Sequence, residues 1–250
     1  MSPTNTLIIY GVHAALACLT HAPTQVLEVW IRGDARNPEL ERVSGLVAQH
    51  RIPLQRASSD TLDKLAGQMP HQGVVLRRRA PAPLALEEFL ERGFNIPAEA
   101  LVIVLDQIQD PQNLGAALRL ADAVGADAVV VTKDRAVAVT SAVAKVASGA
   151  LDTVPLVAVT NLARALAQLK AAGLWVVGAT HDAPESLYAL DLQRPLAWVI
   201  GGEGQGLRRL TRESCDLLCR LPMRGQVASL NLGTAAAVCL YETLRQRGIR

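Results

Sequence analysis

From residue 101 onward, short apolar runs alternate with helix-like segments, and this alternation constrains the fold more than any other feature of the sequence. "LVIVLD" (101–106) is apolar up to its last residue, the pattern of a strand covered on both faces. "PQNLGAALRLADAVG", "DAVVVT", "TSAVAKVASGAL", "PLVAVT", "NLARALAQLKAAG" and "LWVVGAT" follow in turn, and "PLAWVI" leads into a glycine-rich loop. Strands alternating with helices predict an α/β fold around a mostly parallel sheet. Half of the chain is hydrophobic but only 3% is aromatic, so its core must be built from Ala, Val and Leu.

The first 79 residues read as a smaller α/β unit. "LIIYG", "VLEVWI", "IPLQRA" and "GVVL" are strand-like, and "VHAALACLTHA", "PELERVSGLVAQH" and "SDTLDKLAG" are helical. Pro81, Pro83 and Pro97, with a turn to acidic charge, mark 80–100 as a linker carrying a short helix around "LEEFLE". The expected domains are therefore 1–79 and 101–250. Net charge is +2. The triplet Arg77, Arg78, Arg79 and the pair Arg208, Arg209 are local basic spots, suited to phosphates or else simply solvated. His71, beside the arginine triplet, is a candidate RNA contact; His13 and His50 read as surface or core residues.

No apolar stretch approaches the ~20 residues of a membrane span, and "MSPTNTLIIYG" lacks the charged and apolar regions of a secretion signal. Cys215 and Cys219 stand four apart without a second pair or a His cluster to complete a zinc site. The expectation is a cytoplasmic protein with reduced thiols and no metal.

The glycine loop, "IGGEGQGL" (200–207), is not a dinucleotide fingerprint. That motif needs G-x-G-x-x-G after the first strand, whereas Gly202, Gly204 and Gly206 are spaced G-x-G-x-G after a late one. Glu203 would also repel a pyrophosphate. A carboxylate in a backbone-rich loop suits a cationic or hydroxyl-bearing ligand; a plain tight turn is the alternative.

Two more segments stand out. In "LDQIQDPQNLGAALRLADAVGA", Asp110 is a good N-cap and Pro111 a good first helical residue. Asn113 falls in the first turn. Gly115 and Arg119 share a face, leaving space beside a guanidinium unless Arg119 pairs with Asp122. In "LPMRGQVASLNLGTAAAVCLYETLRQR", Ser229 is placed to cap a helix apolar on nearly every side. Gly233 and Ala235 to Ala237 permit close packing within the chain or between subunits. Asn231, at the entrance of that helix, needs a backbone or ligand partner.

Together, "DPQNLGAALRLADAVG", "VIGGEGQGL" and "LPMRGQVASLNLGTAAAVCLYE" resemble, in order, the three motifs of the SpoU, or TrmH-like, RNA ribose 2′-O-methyltransferases of the SPOUT superfamily. "IYGVHAAL" and "HQGVVL" resemble that family's small substrate-binding domain, similar to an L30e-type RNA-binding fold. "KVASGA", "VTNLARAL" and "EGQGLRRLTRESCD" look closest to the branch that methylates a guanosine ribose in 23S ribosomal RNA. The resemblance implies a C-terminal trefoil-knot domain, S-adenosylmethionine as methyl donor, RNA as partner and a homodimer completing each active site across a two-fold axis. It places Gly201, Leu221 and Leu230 at main-chain contacts to the donor, and Asn113, Arg119, Glu203, Ser229 and Asn231 around the target ribose. Gly233 and Thr234 depart from the Ser-Val pair common at that point. Because arginine is effectively always protonated, Arg119 suits electrostatic stabilisation better than proton abstraction. Glu203 is assigned to orienting Arg119 or the ribose. The competing readings are a transfer RNA ribose methyltransferase, a non-enzymatic RNA-binding module and a nicotinamide oxidoreductase.

Overall fold

The computed structural model describes residues 6–33, 37–91, 98–133, 139–202, 206–227 and 229–248. In chain order the elements are β1 (Thr6–Tyr10), α1 (Val12–His21), β2 (Val26–Arg32), α2 (Pro38–Gln49), β3 (Leu54–Ala57), α3 (Ser59–Ala66), β4 (Val74–Arg79), α4 (Leu86–Glu91), β5 (Leu101–Asp106), α5 (Pro111–Val124), β6 (Ala128–Thr132), α6 (Ser141–Ala147), α7 (Ala150–Thr153), β7 (Leu156–Val159), α8 (Leu162–Ala171), β8 (Trp175–Ala179), β9 (Glu185–Ser186), β10 (Leu196–Gly201), α9 (Arg209–Glu213), β11 (Leu217–Arg220) and α10 (Leu232–Gln246). They form two compact units. One is Met1–Ala82 with Ala138–Thr153; the other is Pro83–Val137 with Val154–Arg250.

The first unit is built on a four-stranded sheet in the order β1-β4-β2-β3, antiparallel except for the β2/β3 pair. Its helices begin where the sequence supplies caps: Asn37 accepts from the Glu39 N–H with Pro38 behind it, and Ser58 accepts from the Thr61 N–H. The turn before β4 is fastened by two side chains. Gln72 accepts from the Val12 N–H at 3.0 Å. His71 is buried, its Nδ1 accepting from the Gly73 N–H and its Nε2 lying 3.2 Å from Asp63. Both ring nitrogens are thereby used, so His71 is a structural residue of this turn and not the RNA contact expected from its neighbours.

Helices α6 and α7, from the crossover between β6 and β7, also belong to this unit. The single helix expected over "TSAVAKVASGAL" breaks at Ser148 and Gly149, both with positive φ. A Cβ on Gly149 would stand 2.5 Å from that of Ala17, so only glycine fits. Ser141 accepts from the Ile8 N–H, and the Lys145 ammonium lies 4.8 Å from the Tyr10 ring centre. Arg78 makes two 2.6 Å bonds to the carboxylate of Asp152, and both side chains are buried. The arginine triplet is thus not one basic spot. Arg78 is locked inside, Arg77 pairs with Glu28, and Arg79 is exposed with a 3.4 Å bond to the Thr24 carbonyl.

The second unit carries a seven-stranded parallel sheet in the order β7-β6-β5-β10-β8-β11-β9. Every residue of β5 and β6 is buried, as continuous apolar strands between two helical layers require. Helix α5 starts at Asp110, which accepts from the Gln112 N–H, with Pro111 in its first turn. Trp198, fully buried on β10, donates to the Thr243 hydroxyl at 3.0 Å and ties α10 to the sheet. The cap of α10 is Asn231, two residues beyond the expected Ser229: its Oδ1 accepts from the Gly233 N–H at 2.9 Å. Nor is α10 buried all round. Leu232, Ala236, Cys239, Leu240 and Thr243 face inward, while Thr234 and Tyr241 are exposed.

The Arg78–Asp152 pair yields a stability prediction. Asp152→Ala leaves a guanidinium buried without its partner, which costs about 3–5 kcal/mol. Replacing both residues together, as Arg78→Met with Asp152→Leu, should restore most of the loss. Urea denaturation of the three proteins checks this; equal stability of Asp152→Ala and the unsubstituted protein would show the pair to be inert.

Candidate active site

The site grows from the paired ends of β5 and β10. Their register puts Gly201 beside Asp106. Past that point the chain doubles back: the Gly202 N–H donates to the Asp106 carbonyl at 2.8 Å, and the Gly206 N–H to the Gly202 carbonyl at 3.2 Å. The glycines are needed for contact between backbones. A Cβ on Gly201 would lie 2.3 Å from the carbonyl carbon of Gly206, and one on Gly202 would lie 2.7 Å from the Gln107 oxygen. Gly206 has φ +64° with open space around it. The carboxylate of Asp106, fully buried, accepts from the Arg208 backbone N–H at 2.9 Å and from its guanidinium at 2.6 Å. Arg209 pairs with Glu213 one turn along α9. Glu203 lies outside the described residues.

Beside these glycines is a cavity of about 370 Å³, a size typical of small-molecule sites. Its wall is made by Ala179 at the end of β8 with Thr180 and His181 after it, Ile200 to Gly202 with Gly206, and Leu221 and Met223 after β11. Ser229, Leu230, Leu232 and Ala235 close it at the start of α10. Among the described residues no Lys or Arg lines it. The turn carrying His181 is braced from outside. Asp182 accepts from Arg212 at 2.6 Å and from the Thr180 hydroxyl at 2.7 Å, bonds that hold its carboxyl down at about 2. Arg220 donates to the carbonyls of Ala183 and Pro184.

The residues expected at the site fall into three groups. Gly201, Leu221, Leu230 and Ser229 line the cavity together. Asn113, buried in the first turn of α5, accepts from the Asn231 amide at 3.2 Å, so the first and third motifs meet. A Cβ on Gly233 would come 3.6 Å from that of Ala116 and 3.3 Å from Asn231 Oδ1, so glycine keeps this junction close. Arg119 is exposed on α5 and is not among the described residues that line the cavity. Asp106 and His181 carry no motif signal in the sequence, and Arg208 reads there only as part of a basic spot. In the sequence Asp106 is only the polar end of an apolar strand, four residues before the first motif, and Arg208 directly follows the glycine loop of the second; nothing local links the two.

Among the described residues no His, Cys, Asp and Glu group is arranged to hold a metal ion. Burial pushes the thiols of Cys215 and Cys219 up to about 12.

The sequence profile of the SpoU rRNA methylase family matches residues 100–241, and that of the RNA 2′-O ribose methyltransferase substrate-binding domain matches residues 8–84. The chain belongs to the SpoU rRNA methylase family. It is 47% identical over 245 residues to the 23S rRNA (guanosine-2′-O-)-methyltransferase RlmB of Pseudomonas putida, covering 97% of each chain. Among solved structures it is similar to an RNA 2′-O ribose methyltransferase at a TM-score of 0.81 and 29% identity, covering 98% of this chain and 90% of that one. It is also similar to the SpoU methyltransferase AviRb of Streptomyces viridochromogenes in complex with the cofactor AdoMet, at a TM-score of 0.81 and 25% identity over 97% and 91% of the two chains.

Two of the cavity glycines of this SpoU family chain, Gly201 and Gly206, should differ sharply on substitution. Gly201→Ala forces backbone apart and should cost about 3 kcal/mol or more, whereas Gly206→Ala pays only for its left-handed φ, about 1 kcal/mol. Thermal melts of the two variants check the order; equal losses would contradict the backbone contact at Gly201.

Proposed function

We propose that this protein transfers a methyl group from S-adenosylmethionine to the ribose 2′-oxygen of a guanosine in 23S ribosomal RNA. The observation that carries the reading is the cavity where Gly201, Leu221 and Leu230 share one wall and where, among the described residues, no Lys or Arg stands. An apolar pocket with backbone groups and no cationic side chain suits a sulfonium nucleoside, which has no phosphate and a positive charge of its own; a dinucleotide would lack its counter-charge. The RlmB relative, matched along nearly its whole length, names the substrate class.

When bound, the donor supplies a methyl on a positively charged sulfur, a leaving group that needs no metal. The Gly201, Leu221 and Leu230 main chains hold it, and the surrounding apolar side chains exclude water. The remaining difficulty is the weakly acidic ribose hydroxyl. Arg119 binds an RNA phosphate and stabilises negative charge developing on the 2′-oxygen. The Asn113–Asn231 pair fixes the junction of the two motif helices, and we assign Ser229, which lines the cavity, to contact with the ribose. We assign Glu203 to orienting Arg119 or the ribose. We take an RNA phosphate as the candidate acceptor of the hydroxyl proton.

The reading takes the protein as a cytoplasmic homodimer. Arg119 is exposed and absent from the wall of its own cavity, as expected if it serves the cavity of a second copy. Helix α10 presents Tyr241, 53% exposed, on its uncovered side. We also take β10, β11 and α10 to thread a trefoil knot, a reading supported by the insertion of β10 between β5 and β8 rather than at an edge. The small N-terminal unit is the RNA-binding, L30e-like part.

Transfer of labelled methyl to purified 23S rRNA, with transfer RNA as control, tests the substrate; methylation of transfer RNA alone would favour the other branch of the family. In the same assay Arg119→Ala should lose about 10²-fold or more in turnover while binding the donor as tightly as the unsubstituted protein. Unchanged turnover would remove Arg119 from the mechanism. Assembly is tested at Tyr241, because Ala236 faces the core and its substitution reports on folding. Tyr241→Arg should sediment as a monomer and lose activity; a fully active monomer would refute the dimer.

A further inference from the structure

Asp106 touches the glycine-rich segment at both ends. Its carbonyl accepts from Gly202, the entering limb, and its carboxylate accepts from the backbone and guanidinium of Arg208, the departing limb. Between these anchors the limbs meet at the Gly202–Gly206 bridge. Gly201, Gly202 and Gly206 all line the cavity, whereas Asp106 and Arg208 do not. The carboxylate is wholly buried, while the Arg208 side chain remains 45% exposed. A carboxylate taken out of water at this depth is tolerated only with good partners, and both of its oxygens are used here. No equivalent charge fastens the limbs from the cavity side among the described residues.

We propose that Asp106 and Arg208 are positioning residues for the methyl donor: their ion pair closes the glycine-rich segment so that its main-chain groups face the cavity before the donor arrives. The proposal rests on the donor-binding reading of that cavity. With the clasp open, the backbone at Gly201, Gly202 and Gly206 must be ordered at the expense of donor affinity. The pair then acts on donor binding and not on RNA. This separates it from the other role open to a half-exposed arginine in a basic pair, contact with an RNA phosphate.

The test is titration of the full-length protein with S-adenosylmethionine, at a temperature where far-UV circular dichroism shows every variant folded. Arg208→Ala removes the guanidinium but keeps the backbone bond, Asp106→Asn keeps the shape but removes the charge, and Arg208→Lys restores a cation. The expected result is a donor Kd raised about tenfold in Arg208→Ala and Asp106→Asn, with partial recovery in Arg208→Lys. KM for the donor should rise in parallel while KM for RNA stays unchanged. If Asp106→Asn fails to fold, Arg208→Ala decides alone. A Kd within twofold of the unsubstituted protein overturns the proposal, as does a rise confined to KM for RNA. Failure of the unsubstituted protein to bind the donor would instead refute the methyltransferase reading itself.

Discussion

The pairing of β5 with β10 is the contact on which the second unit depends. Six residues of each strand run side by side in parallel, buried between helices, and the register delivers Asp106 and Gly201 together at the same end of the sheet. Parallel strands expose their functional ends along one edge. Here that edge receives the turn after β8, the glycine-rich segment after β10 and the stretch leading from β11 into α10. Three pieces of sequence far apart in the chain form one cavity because three parallel strands finish at the same level.

The glycines acquire a specific meaning in that setting. A glycine loop at the end of a strand suggests a phosphate cradle, yet Gly201 and Gly202 are glycines because backbone lies where a Cβ would be. A loop folded onto itself offers main-chain groups in place of charged side chains, the right equipment for a ligand that brings its own positive charge. The absence of Lys and Arg among the described lining residues favours a sulfonium nucleoside over a dinucleotide, and the crowding at Gly201 explains why the loop is built from glycine.

Much of this was legible in the sequence. A continuous apolar run identified β5 as a strand buried on both faces, the runs at β6 and β10 read as strands, and Asp110 with Pro111 marked the start of α5. What sequence reading lacks is the partner across space. Arg78 reads as one of three surface arginines, but its environment is set by Asp152, 74 residues away in a crossover that joins the first unit. Ser229 and Asn231 are both good caps, and nothing local chooses between them; the Asn113 amide and the close approach at Gly233 select Asn231. Asp106 looks like the polar end of a strand until Arg208 is seen to fold back on it.

The central claim, methylation of one guanosine ribose in 23S rRNA, is tested most directly in cells. Ribose methylation should be mapped along 23S rRNA from a strain lacking this protein and from its parent. The account predicts that a single 2′-O-methylguanosine disappears and returns when the gene is restored. An unchanged 2′-O-methylation map, or loss confined to transfer RNA, would contradict it.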